Sequence, residues 1–396
     1  MVNQRRRVLL VQPDMSRPNG AVAVAAWIIE ALKAEYDVAV LTAVPVDWRI
    51  VNRSFGTSIN SSEVKVIVLN VFLRAIFRLD PDPQSIQPVA YLMRVCRRIR
   101  SRFDLVVSAA MEEADLGGPG LLYVHFPSLG PFWRSQPDVA GLSSFSQILA
   151  LVQRRLRPWV FLAGYSVDRM KQCRIVTNSG WTQDLLREYY DIDSTIIYPP
   201  VTSARETLPW SERKNAFVTI GSFHRGKRFN WIIDLVERLR RSHSDLELHI
   251  IGSRATGKTG RRYYSRLMTR AQEHSQWLSV HEAVSRSEMQ DILGRSRYAI
   301  HALRGEHFGI APAEALLAGC IPFVHDSGGQ VEIVGRDSRL CFTSADDAVE
   351  KIDSVLNDAA LQYSLGESLV GRRSLFGTER FKTELCAAVR LSMYQP

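Results

Sequence analysis

Short apolar runs recur along the whole sequence, separated by stretches whose apolar positions repeat with a helical period. A strand that is apolar on both faces must be covered on both faces, so this alternation points to parallel sheets packed between helices. In the first half, strand candidates are residues 8–11, 38–41, 64–69, 105–108, 121–125, 174–177 and 195–198. Helical patterns over 21–34, 89–102 and 181–189 lie among them. Pro199 and Pro200 then interrupt the chain, and the polar stretch 202–215 reads as a linker. Beyond it the pattern restarts, with strands expected over 217–220, 246–251, 278–281, 298–302 and 321–324. Helices are expected over 231–240, 263–274, 287–293 and 311–318, with further helices after them. Two successive doubly wound α/β units are the most economical reading. A ligand is then expected at the carboxyl ends of the strands, in the crevice between the units.

Composition narrows the function classes. A chain of 396 residues with 46% hydrophobic and 23% charged residues is of globular type and long enough for two or three domains. The net charge of +9 invites a nucleic-acid or anionic-membrane partner. Residues 1–200 hold 23 basic and 18 acidic side chains, a net of +5, which leaves +4 for the remainder. That even spread, with no basic tail and no nucleic-acid-binding signature, argues against nucleic acid. The five cysteines form no C-x-x-C pair, so neither a zinc site nor a disulfide framework is implied, and a reducing cytoplasmic setting is expected. Arg5, Arg6 and Arg7 precede an apolar run of only four residues, which reads as a first strand rather than a leader. The longest apolar run, 21–29, stops at Glu30 and is too short to span a membrane.

The stretch 297–334 carries the chemistry. A strand ends near Leu303, a loop presents Glu306, and Phe308–Gly309–Ile310 opens a helix that bears Glu314. Glu306 at a strand's carboxyl end and Glu314 about one turn into the helix are placed to face one ligand. Gly309 allows close backbone approach, and free amides at a helix start suit a phosphate. From Glu306 to Pro322 the sequence reads E-x-F-G-x-x-x-x-E-A-x-x-A-G-x-x-P, and Ser327–Gly328–Gly329 and Glu332–Ile333–Val334 follow. This composite resembles the E-x7-E signature of the retaining glycosyltransferases of family 4, which have the GT-B fold of two Rossmann-like domains facing across a cleft.

The resemblance implies an acceptor-side domain over residues 1–203, with a C-terminal helix at about 378–396 packing back onto it, and a donor-binding domain over 204–377. It also implies roles. At the turn Gly221–Ser222–Phe223–His224–Arg225–Gly226–Lys227, Lys227 matches the family lysine that holds the donor diphosphate. Either His224 or Arg225 stands for the family arginine. Ser222, Phe308, Gly309 and Ile310 would line the donor, and Glu314 would accept hydrogen bonds from the ribose. Glu306 would hold the sugar hydroxyls. The run Tyr123–Val124–His125–Phe126–Pro127, with 178–182 and 197–200, resembles the mannosyltransferases acting on lipid-linked oligosaccharides. It gives His125 a contact with the donor sugar from the other domain. Asn19–Gly20 stands where the family has a glycine pair that lets the loop approach the donor and acceptor, which gives Gly20 a donor-binding role, and Asn tolerates unusual backbone angles.

The implied reaction moves a sugar from a nucleotide diphosphate with retention, by front-face attack in which the leaving phosphate takes the acceptor proton. Mannose from GDP-mannose is the favoured donor, and a UDP-sugar with a soluble acceptor is the alternative. No cofactor or metal is expected: Asp80–Pro81–Asp82 and Asp191–Ile192–Asp193 read as turns. The acceptor would be a saccharide, free or lipid-linked. Arg94, Arg97, Arg98, Arg100 and Arg102, on one helical stretch without an acid, suit peripheral contact with an anionic membrane. Apolar and basic residues over 71–79 and 126–161 point the same way. A non-catalytic sugar-nucleotide-binding protein is the reading from another class, opposed by the intact Lys227, Glu306, Glu314 and His125.

Overall fold

The computed structural model describes residues 5–69, 87–110, 114–127, 164–202, 207–254 and 257–394. The chain divides into two compact units, Met1–Pro200 with Glu379–Pro396, and Val201–Thr378. Each is built on an all-parallel sheet. The proline pair stands at the junction, where it cannot supply amide donors to a sheet.

In the first unit seven strands follow the order β3-β2-β1-β4-β5-β6-β7. They are β1 (Arg7–Val11), β2 (Asp37–Thr42), β3 (Val64–Val68), β4 (Leu105–Ser108), β5 (Leu121–Val124), β6 (Arg174–Thr177) and β7 (Thr195–Ile196). Central β1 pairs with β2 through Val8↔Val38 and with β4 through Val8↔Leu105, so the topology reverses beside β1. The helices among the described residues are α1 (Gly20–Leu32), α2 (Trp48–Phe55), α3 (Gln87–Ile99), α4 (Val167–Lys171) and α5 (Gly180–Tyr190). Residues 21–29 of α1 are all buried, because one side lies on the sheet and another is covered from the far end of the sequence. That cover is the last helix, Thr378–Met393, whose Phe381, Leu385, Ala388 and Val389 join the core of α1. Arg390 fixes its register on Glu35 at 3.0 Å.

In the second unit six strands follow the order β10-β9-β8-β11-β12-β13. They are β8 (Lys214–Ile220), β9 (Glu247–Gly252), β10 (Leu278–Glu282), β11 (Ser296–His301), β12 (Ile321–His325) and β13 (Cys341–Phe342). The helices are α6 (Phe229–Leu239), α7 (Gly257–Glu273), α8 (Arg286–Arg295), α9 (Ile310–Leu317), α10 (Ala345–Asn357) and α11 (Ala359–Arg373); the last helix, Thr378–Met393, is α12. On one face of the sheet Val218 and Ala299 pack against Leu293 of α8 and Ala315 of α9. On the other, Phe217, Tyr298 and Phe323 form an aromatic layer with ring centroids 5.2–6.4 Å apart. The order reverses between β8 and β11, so the loops leaving these two strands diverge and open a crevice at their carboxyl ends.

Two sequence expectations change in detail. Asn19 does not adopt an unusual backbone angle: at φ −156° it is extended and caps α1, its side chain accepting the amides of Ala21 and Val22. The basic stretch of α3 and of the 3-10 turn after it, Arg100–Arg102, is not uniformly surface. Arg97 and Arg100 turn inward, Arg97 to Asp115 and Arg100 to the carbonyl of Pro119, while Arg94, Arg98 and Arg102 are exposed. Residues 71–79, Asp80–Pro81–Asp82 and nearly all of 126–161 lie outside the described residues.

Candidate active site

The second unit's reversal point brings together the loop after β8 and the loop after β11. A side chain at Gly252, on neighbouring β9, would meet the Gly221 carbonyl at 2.0 Å, so the backbones there are at closest approach. The first loop leaves β8 at Gly221 and makes a single 3-10 turn, Arg225–Lys227. His224 caps that turn, its Nδ1 accepting the amide of Gly226 at 3.1 Å. The aliphatic stem of Lys227 lies across Gly221, where a Cβ would stand 3.0 Å from its Cγ and Cδ. Laid down in this way, Lys227 reaches the second loop, and its Nζ is 2.8 Å from Glu306 Oε2.

The main chain of Glu306 is held by the loop that leaves β12. Gly329 N donates to the Glu306 carbonyl at 2.8 Å, and Gly305 N donates to Ser327 Oγ at 2.9 Å. A Cβ on Gly328, at φ 75°, would lie 2.2 Å from that carbonyl, so the serine–glycine–glycine run has a steric cause. Gln330, fully buried, donates its Nε2 to the carbonyls of Leu303 and His325 at 2.7 and 3.0 Å and ties the two loops together.

The same Glu306 Oε2 is also 3.0 Å from Nε2 of His301, the last residue of β11. Oε1 takes no hydrogen bond among the described residues. Burial pushes the Glu306 carboxyl up, but His301 and Lys227 outweigh it and hold the group well below the usual carboxylate range. Burial lowers His301 despite its hydrogen bond to Glu306, with Lys227 acting in the same direction, so a neutral imidazole donates there. His224 is lowered by burial and by Lys227, against the pull of Glu306. Its ring is half-buried on the turn, whereas Arg225 and Ser222 are exposed. His301 was absent from the sequence-derived set. Its signal was a histidine at a strand's carboxyl end five residues before the glutamate.

Helix α9 starts at Gly309, φ 105°, where a Cβ would strike Pro312 at 2.8 Å and Gln330 at 3.2 Å. No side chain caps this helix, Pro312 has no amide hydrogen, and the amides of Ile310 and Ala311 donate no hydrogen bond among the described residues. Such an end attracts an anion. Glu314, on the next turn, is raised by burial against the opposing effect of Arg286 at 3.5 Å. Phe308 turns its ring inward, 5.7 Å from Phe376, and is buried.

Gly20 and His125 belong to the first unit. Gly20 is the first residue of α1. His125 follows β5, buried, with its ring 5.1 Å from Tyr123 and its carbonyl accepting Thr182 Oγ1 at 3.3 Å. Asp191 closes α5 in the left-handed conformation and Asp193 pairs with Arg187 at 2.9 Å. Both therefore serve the turn. Among the described residues, no group of three or more His, Cys, Asp or Glu is placed to hold a metal ion.

Residues 201–368 match the family described as glycosyl transferases group 1. Curated relatives include a Neurospora crassa protein named GDP-Man:Man(3)GlcNAc(2)-PP-Dol alpha-1,2-mannosyltransferase, 25% identical over 60% of this chain and 50% of its own length. The human protein of that name is 24% identical over 54% of this chain and 48% of its own. The chain thus spans about half the length of these relatives, or less: 36% of the Yarrowia lipolytica one. Among solved structures, Anabaena HepE in complex with UDP and glucose superposes with a TM-score of 0.67, covering 98% of this chain and 100% of its own at 13% identity. A Rickettsia africae glycosyltransferase gives 0.64 with full coverage of both chains at 14% identity. The fold is that of the GT-B glycosyltransferases.

Proposed function

We propose, for a chain whose residues 201–368 are a glycosyl transferases group 1 domain, that it transfers a hexose with retention from a nucleotide diphosphate. The donor we infer is GDP-mannose and the acceptor a lipid-linked saccharide, the chemistry named for the curated relatives. The observation that carries the reading is the Lys227–Glu306 pair at 2.8 Å beside the unfilled amides of Ile310 and Ala311. Cation, anion receptor and hydroxyl acceptor then stand at one strand reversal.

On this reading the donor's diphosphate takes the amides at the start of α9 and draws Lys227 away from Glu306. The ammonium and the amides stabilise the charge that develops on the leaving phosphate. Glu306, anchored by His301, turns its oxygens to the sugar hydroxyls and fixes the pose of the anomeric carbon. Glu314 accepts from the ribose, a role in which hydrogen bonds favour its charged form. With cationic and amide donors already in place, the leaving group needs no metal. His224 and Arg225 flank the diphosphate. No helix among the described residues is long and apolar enough to cross a membrane. The exposed Arg94, Arg98 and Arg102 would bring the enzyme to an anionic surface at the cytoplasmic face.

The test is a transfer and donor-hydrolysis assay across GDP- and UDP-sugars in EDTA. Turnover of GDP-mannose in EDTA supports the reading. Turnover confined to UDP-sugars overturns the donor, and recovery only on adding a divalent ion overturns the metal-free step.

A further inference from the structure

The sheet face opposite Glu306 carries basic groups that the proposed transfer leaves unused. His301 shares a face with Ala299, whereas His325 lies two residues beyond Phe323 and so shares the aromatic face. A ladder of rings runs along that face. The Arg228 guanidinium sits over Trp231 at 4.6 Å, Trp231 stacks on Phe342 at 5.5 Å, and Phe342 meets His325 edge-on at 5.8 Å. Arg228 also donates to the Ala302 carbonyl at 3.3 Å. The register His301↔Val324 places Ala302 beside His325, and Arg304 follows two residues later.

His325 is 8% exposed, with Nδ1 2.9 Å from Ser327 Oγ. That hydroxyl accepts the Gly305 amide and still has its own hydrogen to donate to Nδ1, the arrangement that leaves the imidazole hydrogen on Nε2. Nε2 is buried and meets no hydrogen-bond partner among the described residues. A buried donor without an acceptor is costly. Neither Arg228 nor Arg304 forms an ion pair among the described residues, and each depresses proton binding at His325 after burial has done so. The acid acting on His325 is the exposed Asp326. Arg228 also holds φ 56°, an unfavourable backbone for a long L side chain.

We propose that Arg228, Arg304 and His325 bind a phosphate group on this face, at a site separate from the nucleotide-sugar cradle. Two planar guanidinium forks and an imidazole N–H suit a tetrahedral oxyanion better than the two oxygens of a carboxylate. Free inorganic phosphate and a phosphate ester carried on a second substrate share that chemistry.

The experiment is calorimetric titration of the full chain, with and without saturating GDP, using inorganic phosphate and, separately, farnesyl diphosphate. Phosphate is expected to bind in the presence of GDP. Arg304→Ala should weaken it about tenfold or more, the scale of one charge-assisted hydrogen bond. His325→Gln and Arg228→Ala should weaken it too, while Lys227→Ala leaves it unchanged. Arg304 makes no hydrogen bond among the described residues, so its variant keeps the test open if His325→Gln fails to fold. Tighter binding of farnesyl diphosphate than of phosphate would support the site and assign it to a lipid-borne ester; equal binding would support it and assign it to the free ion. Indifference to Arg304→Ala, or displacement by GDP with loss in Lys227→Ala, overturns the proposal and returns the ion to the donor cradle. Neither result bears on the transfer assay.

Discussion

Asp115 in the first unit and Glu306 in the second are both carboxylates withdrawn from water, and their partners differ in kind. Asp115 has no exposed surface. It accepts the amides of Gly117 and Ser166 at 2.9 Å each, the Arg169 fork down to 2.6 Å, and Arg97 at 3.4 Å. Both oxygens are used, and two of the donors are main chain. Glu306 is held through one oxygen, by the tips of Lys227 and His301. Main-chain donors cannot leave without moving the fold, whereas a lysine on a flexible stem can turn to a competing anion. The first arrangement closes a structure and the second keeps a carboxylate charged and available.

The largest expected effect breaks the first of these. Asp115→Ala leaves Arg97 and the loop amides without their anion and should cost about 3 kcal/mol of stability, the lower part of the range for breaking a buried pair, since Arg169 can turn to water. Denaturant unfolding measures it, and nucleotide binding by the refolded variant should be unchanged. Glu306→Ala should shift the balance: turnover falls by about a hundredfold or more, with a smaller loss of stability than Asp115→Ala because Lys227 can turn to water. If both variants lost stability equally, the contrast between the two carboxylates would fail.

His301 sharpens it further. His301→Leu removes a donor to Glu306 and should lower kcat by about tenfold with little change in KM, the scale of one misaligned charged contact. His301→Gln, which can still donate, should recover most of that loss; a purely structural histidine would show no such recovery.

Acid gives a smaller effect. His301, His224 and His325 are all held below their ordinary value of 6.5, so below that pH the unfolded chain binds protons that the folded chain refuses. Stability is therefore full above about 6.5 and declines as pH falls toward their folded values. His301→Gln should flatten that decline by at most one proton, about 1.4 kcal/mol per pH unit in pH-dependent unfolding. The smallest effect compares two sides of α3 and the 3-10 turn that follows it. Arg94→Gln, Arg98→Gln and Arg102→Gln should each weaken binding to anionic vesicles by about 1 kcal/mol and leave the fold alone. Arg97→Glu should unfold the Asp115 cluster instead. Co-sedimentation insensitive to the three exposed substitutions, or unaffected by about 0.5 M salt, would remove the membrane contact.

Much of the fold was legible because parallel strands are apolar on both faces and helices keep a 3.6-residue period. The expected strands appear, β1 as Arg7–Val11 for 8–11 and β12 as Ile321–His325 for 321–324. What escaped was short or polar. β13 has two residues, too few for any period, and α2, capped by Asp47, is only eight residues long, too short for its buried Trp48, Val51 and Phe55 to stand out as a repeat. In the candidate site, Glu306 and Gly309 could be named from a composite motif and Lys227 from the glycine turn at 221–227. His301 could not, since a histidine at a strand end looks alike whether it faces a core or a carboxylate.

The sequence by itself determined the elements and the two-unit plan, because periodicity and glycine placement are local properties. Only the tertiary structure decided which groups meet. Lys227 and Glu306 are 79 positions apart and become partners because strand order reverses between β8 and β11. Arg97 and Arg98 are adjacent, yet one enters a buried ion cluster and the other faces water, because a helix turns about 100° per residue and only one side meets Asp115. A contact between distant residues depends on which strands are neighbours, and no local pattern encodes that.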